Sequence, residues 1–353
     1  MTHEQLLDRI RNGLPLINVD LSGENLEGLD LSGAQMHGVN LAGARMSGVN
    51  LEDAGLIGCR LSHADVSGAL LKDARFVRCE LAGARFEDTN LSGAQFSESN
   101  LDGAMLNRAD VCGSAFYKCT AKNAELSFGR CDRMAVFETS LDGARLSDVQ
   151  MSFCVFMKSD LRAMAWEGGS CDSCVFNECI LDGMDLSGRT LVRCQFIGSR
   201  LQGVDLSRAQ LTQSNFKGAA MQSVQLADAR GEAALFPEAD LKGANCRGAQ
   251  FPRSVWVGAC LEGADFSQAQ LDLCALHRTR CNTAVFERAS LSDADFSYAD
   301  LRDCNLRGAI FQRTRMHHAQ MAGAVLSARS GIIEVDEGLH KAQQWSASRA
   351  HPE

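Results

Sequence analysis

The side chains best equipped for chemistry in this 353-residue chain are its 15 cysteines and 8 histidines. Thiolates and imidazoles hold zinc, form disulfides or act as nucleophiles, depending on spacing and compartment. Cys171-x-x-Cys174 followed by Cys179 imitates a zinc-ligand spacing, but no histidine lies near it. His317-His318 is the one adjacent histidine pair, and a solvated pair is a simpler reading than a metal site. No P-loop, Gly-rich dinucleotide turn, HExxH or GxSxG occurs. These observations point away from a catalytic residue, a metal site or a cofactor, and the chain reads as a non-enzyme. Lys+Arg number 35 against 44 Asp+Glu, a net charge of −9, which argues against direct nucleic-acid binding. No run of about 18 apolar residues is present, so no membrane span is expected. Met1-Thr2-His3-Glu4 lacks the basic and apolar regions of a signal peptide.

What positions these side chains is a repeat of five. From Leu16 to Leu326, every fifth residue gives 63 positions, and 61 of them hold Leu, Phe, Met, Val, Trp or Cys. The exceptions are Ala121 and Gly231. The residue two before these centres is mostly small, with Ala at 29 of the 63. Strand alternation turns residues two apart to the same side, so centre and minus-two point inward together. The next two residues face outward and turn a corner. Glycine is frequent there, as at Gly23, Gly43, Gly83 and Gly103, since it tolerates a positive φ.

Pentads such as Ala64-Asp65-Val66-Ser67-Gly68 and Ala239-Asp240-Leu241-Lys242-Gly243 resemble the A(D/N)LXX pattern of the pentapeptide-repeat family. The resemblance implies an all-β solenoid, a right-handed quadrilateral β-helix in which each pentad makes one side. A longer period agrees. Nine of the 17 Phe, from Phe76 to Phe296, recur at centres sharing one phase of a 20-residue cycle. Four pentads per coil would stack like on like. About 15 coils spaced by about 4.8 Å would make a rod on the order of 75 Å. The expected organisation is a capping helix at 1–13, the β-helix at 14–328 and a cap or tail at 329–353. Thr2 with Gln5 fits a capping box, and Leu6, Leu7 and Ile10 form an apolar face. Beyond the repeat, Ile332, Ile333 and Val335 suggest a last strand, and 337–349 is weakly helical, with Leu339 and Trp345 apolar.

The repeat reassigns the cysteines. Nine lie at minus-two positions and four at centres, so 13 of 15 point inward as small hydrophobes, leaving Cys112 and Cys260 outward. Many unpaired thiols fit a reduced, cytoplasmic setting. Glu24 and Arg189 are charges at minus-two positions. The open first coil can solvate Glu24. Arg189 calls for a local distortion, near Gly168-Gly169 one coil earlier.

A filled tube leaves function to its outer faces. The face over the Phe column carries 7 cations against 5 anions and is the richest in apolar residues. Its candidate partner-binding patch is Tyr117, Phe137, Val155, Met157, Val175, Ile197, Leu235, Val255 and Val257, a cluster of the size that marks protein contacts. A homodimer through this face or the C-terminal tail is compatible with the sequence. The opening segment, Leu6-Leu7-Asp8-Arg9-Ile10 through Gly13-Leu14-Pro15-Leu16 into Asp20-Leu21-Ser22-Gly23, looks like bacterial pentapeptide-repeat proteins associated with type VI secretion. That likeness implies a scaffold or adaptor gripping a secretion effector or its machinery. The alternative implied by the family is a DNA mimic binding a type II topoisomerase such as gyrase. Seven or more cations on each acidic face dilute that mimicry.

Overall fold

A computed structural model describes residues 1–335, 337, 338, 340–342 and 345. The chain forms two compact units, Met1–Leu181 and Asp182 onward. In each, pairing is parallel with a 20-residue offset on four successive sides. The first unit shows Asp20↔Asn40, Asn25↔Arg45, Asp30↔Asn50 and Gln35↔Gly55 pairs, and the second Asp185↔Asp205, Thr190↔Gln210, Gln195↔Asn215 and Arg200↔Ala220. Each unit is therefore the four-sided β-helix that the 20-residue period predicts.

One pentad shows how the backbone is satisfied, which a buried chain requires. The Asn40 N–H donates to Val19 O of the coil before, at 2.9 Å. The Leu41 N–H donates to Arg60 O (2.7 Å) and the Gly43 N–H to Ser62 O (2.9 Å), both in the coil after. The Ala44 N–H closes the corner on Leu41 O at 3.0 Å. Gly43 has φ +65, so the corner is a type II turn. The same geometry is imposed on non-glycine residues: Arg108, Phe153 and Leu273 adopt φ of 60, 54 and 63. The hydrogen-bond closure, rather than glycine, defines the corner.

Inside, like residues stack coil on coil. Phe76–Phe96 and Phe96–Phe116 lie 4.7 and 4.9 Å apart in the first unit, nearly parallel. Phe196–Phe216 and Phe216–Phe236 are both at 5.0 Å in the second. In the first unit the Phe-column side is a continuous nine-stranded parallel sheet, from Leu16–Ile17 through Gln35–His37 to Val175–Asn177. A second sheet joins Cys131–Asp132, Gln150–Ser152 and Ser170–Asp172. Most sides of the second unit are single bridges flanked by turns.

At the N-terminus, helix α1 (His3–Arg11) carries the predicted capping box between Thr2 and Gln5. Its end is a Schellman closure: the Leu14 N–H donates to Arg9 O (2.9 Å) and the Gly13 N–H to Ile10 O (2.8 Å). Leu6 is buried, while Leu7 and Ile10 are half-buried. In the second unit, Ile332–Ile333 pairs with Thr314–Arg315 in the register Thr314↔Ile332, two residues short of a full coil. The expected helical stretch at 337–349 is described at 337, 338, 340–342 and 345, which are helical; Leu339 and Arg349 lie outside the described residues.

Two departures from the repeat are local. In the first unit, Gly129 stands at a minus-two position but is exposed, and Phe128, at the corner, lines the interior instead. The Phe128 N–H donates to Leu126 O (2.9 Å) and the Gly129 N–H to Ala109 O (2.9 Å), replacing the usual corner bonds. The consecutive positive φ of Gly168 (+65) and Gly169 (+72) mark the second distortion, where a Cβ on Gly169 would meet Val149 O.

Candidate functional site

The chemistry-bearing side chains are mostly core. None of the 15 cysteines forms a disulfide. Cys171, Cys174 and Cys179 are buried, and the Cys179 Sγ–H faces Phe156 O at 3.4 Å. Burial is the main cause that pushes the thiols of Cys179 and Cys304 up, to about 11 and about 12. Thiols so raised stay protonated near neutral pH and are poor ligands and nucleophiles. Among the described residues, no group of three or more His, Cys, Asp or Glu is arranged to hold a metal. One expectation needs correction: Cys260 is buried although its position in the pentad is outward, whereas Cys112 is half-exposed. It sits between its ladder neighbours Asp240 and Arg280, and the Arg280 side chain interacts with it.

His317 also departs from the solvated pair expected. It is buried, edge-on to Tyr298 with ring centroids 5.6 Å apart, and 4.2 Å from His318. Nearby, His277, Arg278, Asp295, Ser297 and Tyr298 line an open groove of about 300 Å³. Glu24 is exposed, as the open first coil allows. Arg189 is half-buried, and its backbone keeps the regular register, with the Gln210 N–H donating to Arg189 O at 2.8 Å. The distortion expected near Gly168-Gly169 is present there, one coil earlier, while the Arg189 pentad itself stays regular.

The Phe-column face divides between the two units. In the first, register sets Tyr117 beside Phe137 and Phe137 beside Met157. The parallel ladder Ala115, Ala135, Val155, Val175 runs next to it. Tyr117 is 42% exposed, and Phe137, Val155, Met157 and Val175 are half-buried by their neighbours. These five form one contiguous strip. In the second unit, Leu235 pairs with Val255, and Val257 lies on the same rung as Val255. Ile197 is not part of that cluster, because the rung of Asn215 and Lys217 separates it from Leu235.

Two residues were not singled out from sequence. Phe153 and Leu273 occupy corners that lead into the Phe-column side and are 53% and 52% exposed. The Arg133 guanidinium lies 5.6 Å from the Phe153 ring centroid. The available signal was a bulky apolar residue at the corner position, where glycine or a charged residue is usual.

Charge is largely compensated along the coils. Arg108 donates to Asp88 at 2.6 Å, and Arg313 to Asp293 at 2.6 Å, each pair one coil apart. The arginine hydrogen bonds hold both carboxyls below the usual range. No helix among the described residues is long and apolar enough to cross a membrane.

The sequence matches the family profile described as pentapeptide repeats (8 copies) at residues 16–53, 50–93, 79–116, 94–127, 239–278, 269–308 and 289–327. A second profile, pentapeptide repeat region, matches 169–246. No curated protein matches the chain. Similar solved structures include HetL, a pentapeptide repeat protein involved in heterocyst differentiation regulation from the cyanobacterium Nostoc sp. strain PCC 7120. It is 22% identical over 88% of this chain and 97% of its own, with a TM-score of 0.26. QnrB1, a plasmid-mediated fluoroquinolone resistance protein, is 18% identical over 56% of this chain and 99% of its own, with a TM-score of 0.27.

Proposed function

Since the chain belongs to the pentapeptide-repeat family, we propose that it is a non-enzymatic protein-binding scaffold or adaptor whose docking surface is the apolar Phe-column face. The observation that carries this reading is the contiguous strip of Tyr117, Phe137, Met157, Val155 and Val175 in the first unit. The second unit carries a smaller cluster of its own, Leu235, Val255 and Val257. Exposed apolar surface rimmed by charge is the usual mark of a protein contact. The finer reading is a cytoplasmic accessory for effector loading in bacterial type VI secretion, prompted by helix α1 and the entry into the first coil. Binding to a type II topoisomerase by DNA mimicry is less well supported, because acids such as Asp88 and Asp293 are neutralised by arginines one coil away.

The test uses two folded double variants, Tyr117→Glu with Phe137→Glu and Leu235→Glu with Val255→Glu. Each is compared with the wild-type chain by affinity capture from the native cell and mass spectrometry. Loss of specific partners in at least one variant is the expected result. Unchanged capture by both, with unaltered circular dichroism and melting, overturns the reading.

A further inference from the structure

The corner that closes the Phe-column side in the first unit carries a pattern that the repeat does not require. It holds glycine at Gly38 and Gly58, then Arg78, Glu98, Lys118, Glu138, Lys158 and Glu178 in consecutive coils. These six have φ between 47 and 55, in the left-handed region where glycine is the least strained residue. Their signs alternate at every rung. Lys118 Nζ is 3.7 Å from Glu138, and Lys158 Nζ is 3.9 Å from Glu178, with all four side chains about half exposed. Backbone bonds fix the spacing: the Glu98 N–H donates to Tyr117 O (2.9 Å), Lys118 to Phe137 O (3.0 Å) and Glu138 to Met157 O (3.0 Å).

Alternation along one chain already favours neighbouring rungs. An even number of rungs has a further consequence. Reversed about its midpoint, the ladder is complementary to itself: Arg78 faces Glu178, Glu98 faces Lys158, and Lys118 faces Glu138. Parallel apposition, or reversal centred on a rung, sets like charges together. A two-fold axis lying across the face keeps each column opposite itself, so the same reversal applies to its neighbours. Tyr117 then meets Phe137. The projecting rung of Phe153, Val155 and Met157 meets the smaller rung of Gly93, Gln95 and Ser97.

We propose that a second copy of this chain docks antiparallel on this stretch, about a two-fold axis passing between the rungs of Lys118 and Glu138. The proposal rests on the reading of the face as a docking surface and names the occupant of its first-unit part, leaving the second-unit cluster for another protein. The interface is isologous. Its aromatic pair lies at the centre, where binding energy concentrates. Six rungs at about 4.8 Å extend only about 25 Å, which places the interface at the small end of specific contacts. Self-association is therefore in the micromolar range and weakened by salt.

The experiment is sedimentation velocity on the full chain, from about 1 to about 100 μM in low salt, with Glu98→Lys, Lys158→Glu and the double variant. Within one chain these residues are three rungs, about 14 Å, apart, so they have no direct contact to rescue. Each single variant turns both symmetry-related Glu98–Lys158 contacts into like-charge pairs and is expected to weaken self-association at least about tenfold. The double variant is expected to return to within about threefold of wild type. A wild-type chain that stays monomeric, singles without effect, or a double that fails to recover would falsify the dimer. If the wild type is monomeric but the Tyr117→Glu, Phe137→Glu variant loses captured partners, the dimer fails and the docking surface stands. If the charge swap rescues while capture is unchanged in both double variants, the dimer stands and the search for another partner on this face fails.

Discussion

Ala121 in the first unit and Gly231 in the second are the same defect at the level of sequence: a lining position without a large side chain. Their surroundings differ. The next residue in the Gly231 column is Phe251, whose ring leans into the space, so a Cβ on Gly231 would meet Phe251 ring carbons at 2.4 and 2.5 Å. The neighbours of Ala121 in its column are Leu101 and Leu141, which leave a gap. It persists as an apolar cavity of about 30 Å³ bordered by Ala121, Phe128, Met134 and Met164. Phe128 reaches it only by giving up its corner. A gap in the lining is thus closed along the column when an aromatic is next in line. Otherwise it is closed incompletely through the wall. Unbranched methionines at the minus-two positions 134 and 164 suit such an irregular space.

The comparison makes predictions of decreasing size. Phe236 is packed between Phe216 at 5.0 Å and the Trp256 ring at 4.0 Å, so Phe236→Ala should destabilise by about 3–5 kcal/mol. Phe116 borders the cavity and is 7% exposed, so Phe116→Ala should fall at or below the low end of that range, near 3 kcal/mol. Equal losses in denaturant melts would mean that the cavity does not loosen its surroundings. Next in size, Gly231→Val forces a methyl-bearing carbon into the Phe251 ring and should cost about 1–3 kcal/mol. Ala121→Leu has the opposite sign. It fills the cavity and should stabilise by about 1 kcal/mol, measured as a higher melting temperature. A destabilised Ala121→Leu would show that Phe128 has already taken the usable space.

The smallest effect is one that the two units should share. Asp20 in the first and Asp185 in the second each accept hydrogen bonds from the serine two residues on, which hold their carboxyls below the usual value of 3.8. A folded-state pKa below the unfolded one means a stabilising contribution fully present above about pH 4 and lost as pH falls through the lowered value. Asp185→Asn keeps the acceptor oxygen and removes the titration. Its melting temperature should therefore fall less steeply than wild type between about pH 4 and pH 2. An identical acid limb would assign acid sensitivity to other carboxylates.

Much was legible in the linear chain because its register never shifts. A residue at a minus-two or centre position has its lining place decided by count alone. That is why the inward cysteines and the Phe stacks could be read directly, whereas Glu24 and Gly129, lining positions by count, are exposed. The corners and outer ladders were less legible. Cys260 is outward by count but buried, and its ladder neighbours Asp240 and Arg280, the latter in side-chain contact with it, lie 20 residues away on either side. Phe128 is a corner residue by count and a lining residue in the fold. Phe153 and Leu273 stand at corners, where the pentad pattern favours glycine and gives no sign of an exposed apolar side chain.

The sequence by itself determined the period of five, the coil of twenty and the identity of the lining, since each follows from which residues a strand and a corner can turn inward. It also contains the alternating charges from Arg78 to Glu178. Only the tertiary structure decided which irregularities are absorbed and which remain. The space beside Ala121 or Gly231 is set by side chains one coil above and below, whose reach depends on packing rather than on position in the pentad.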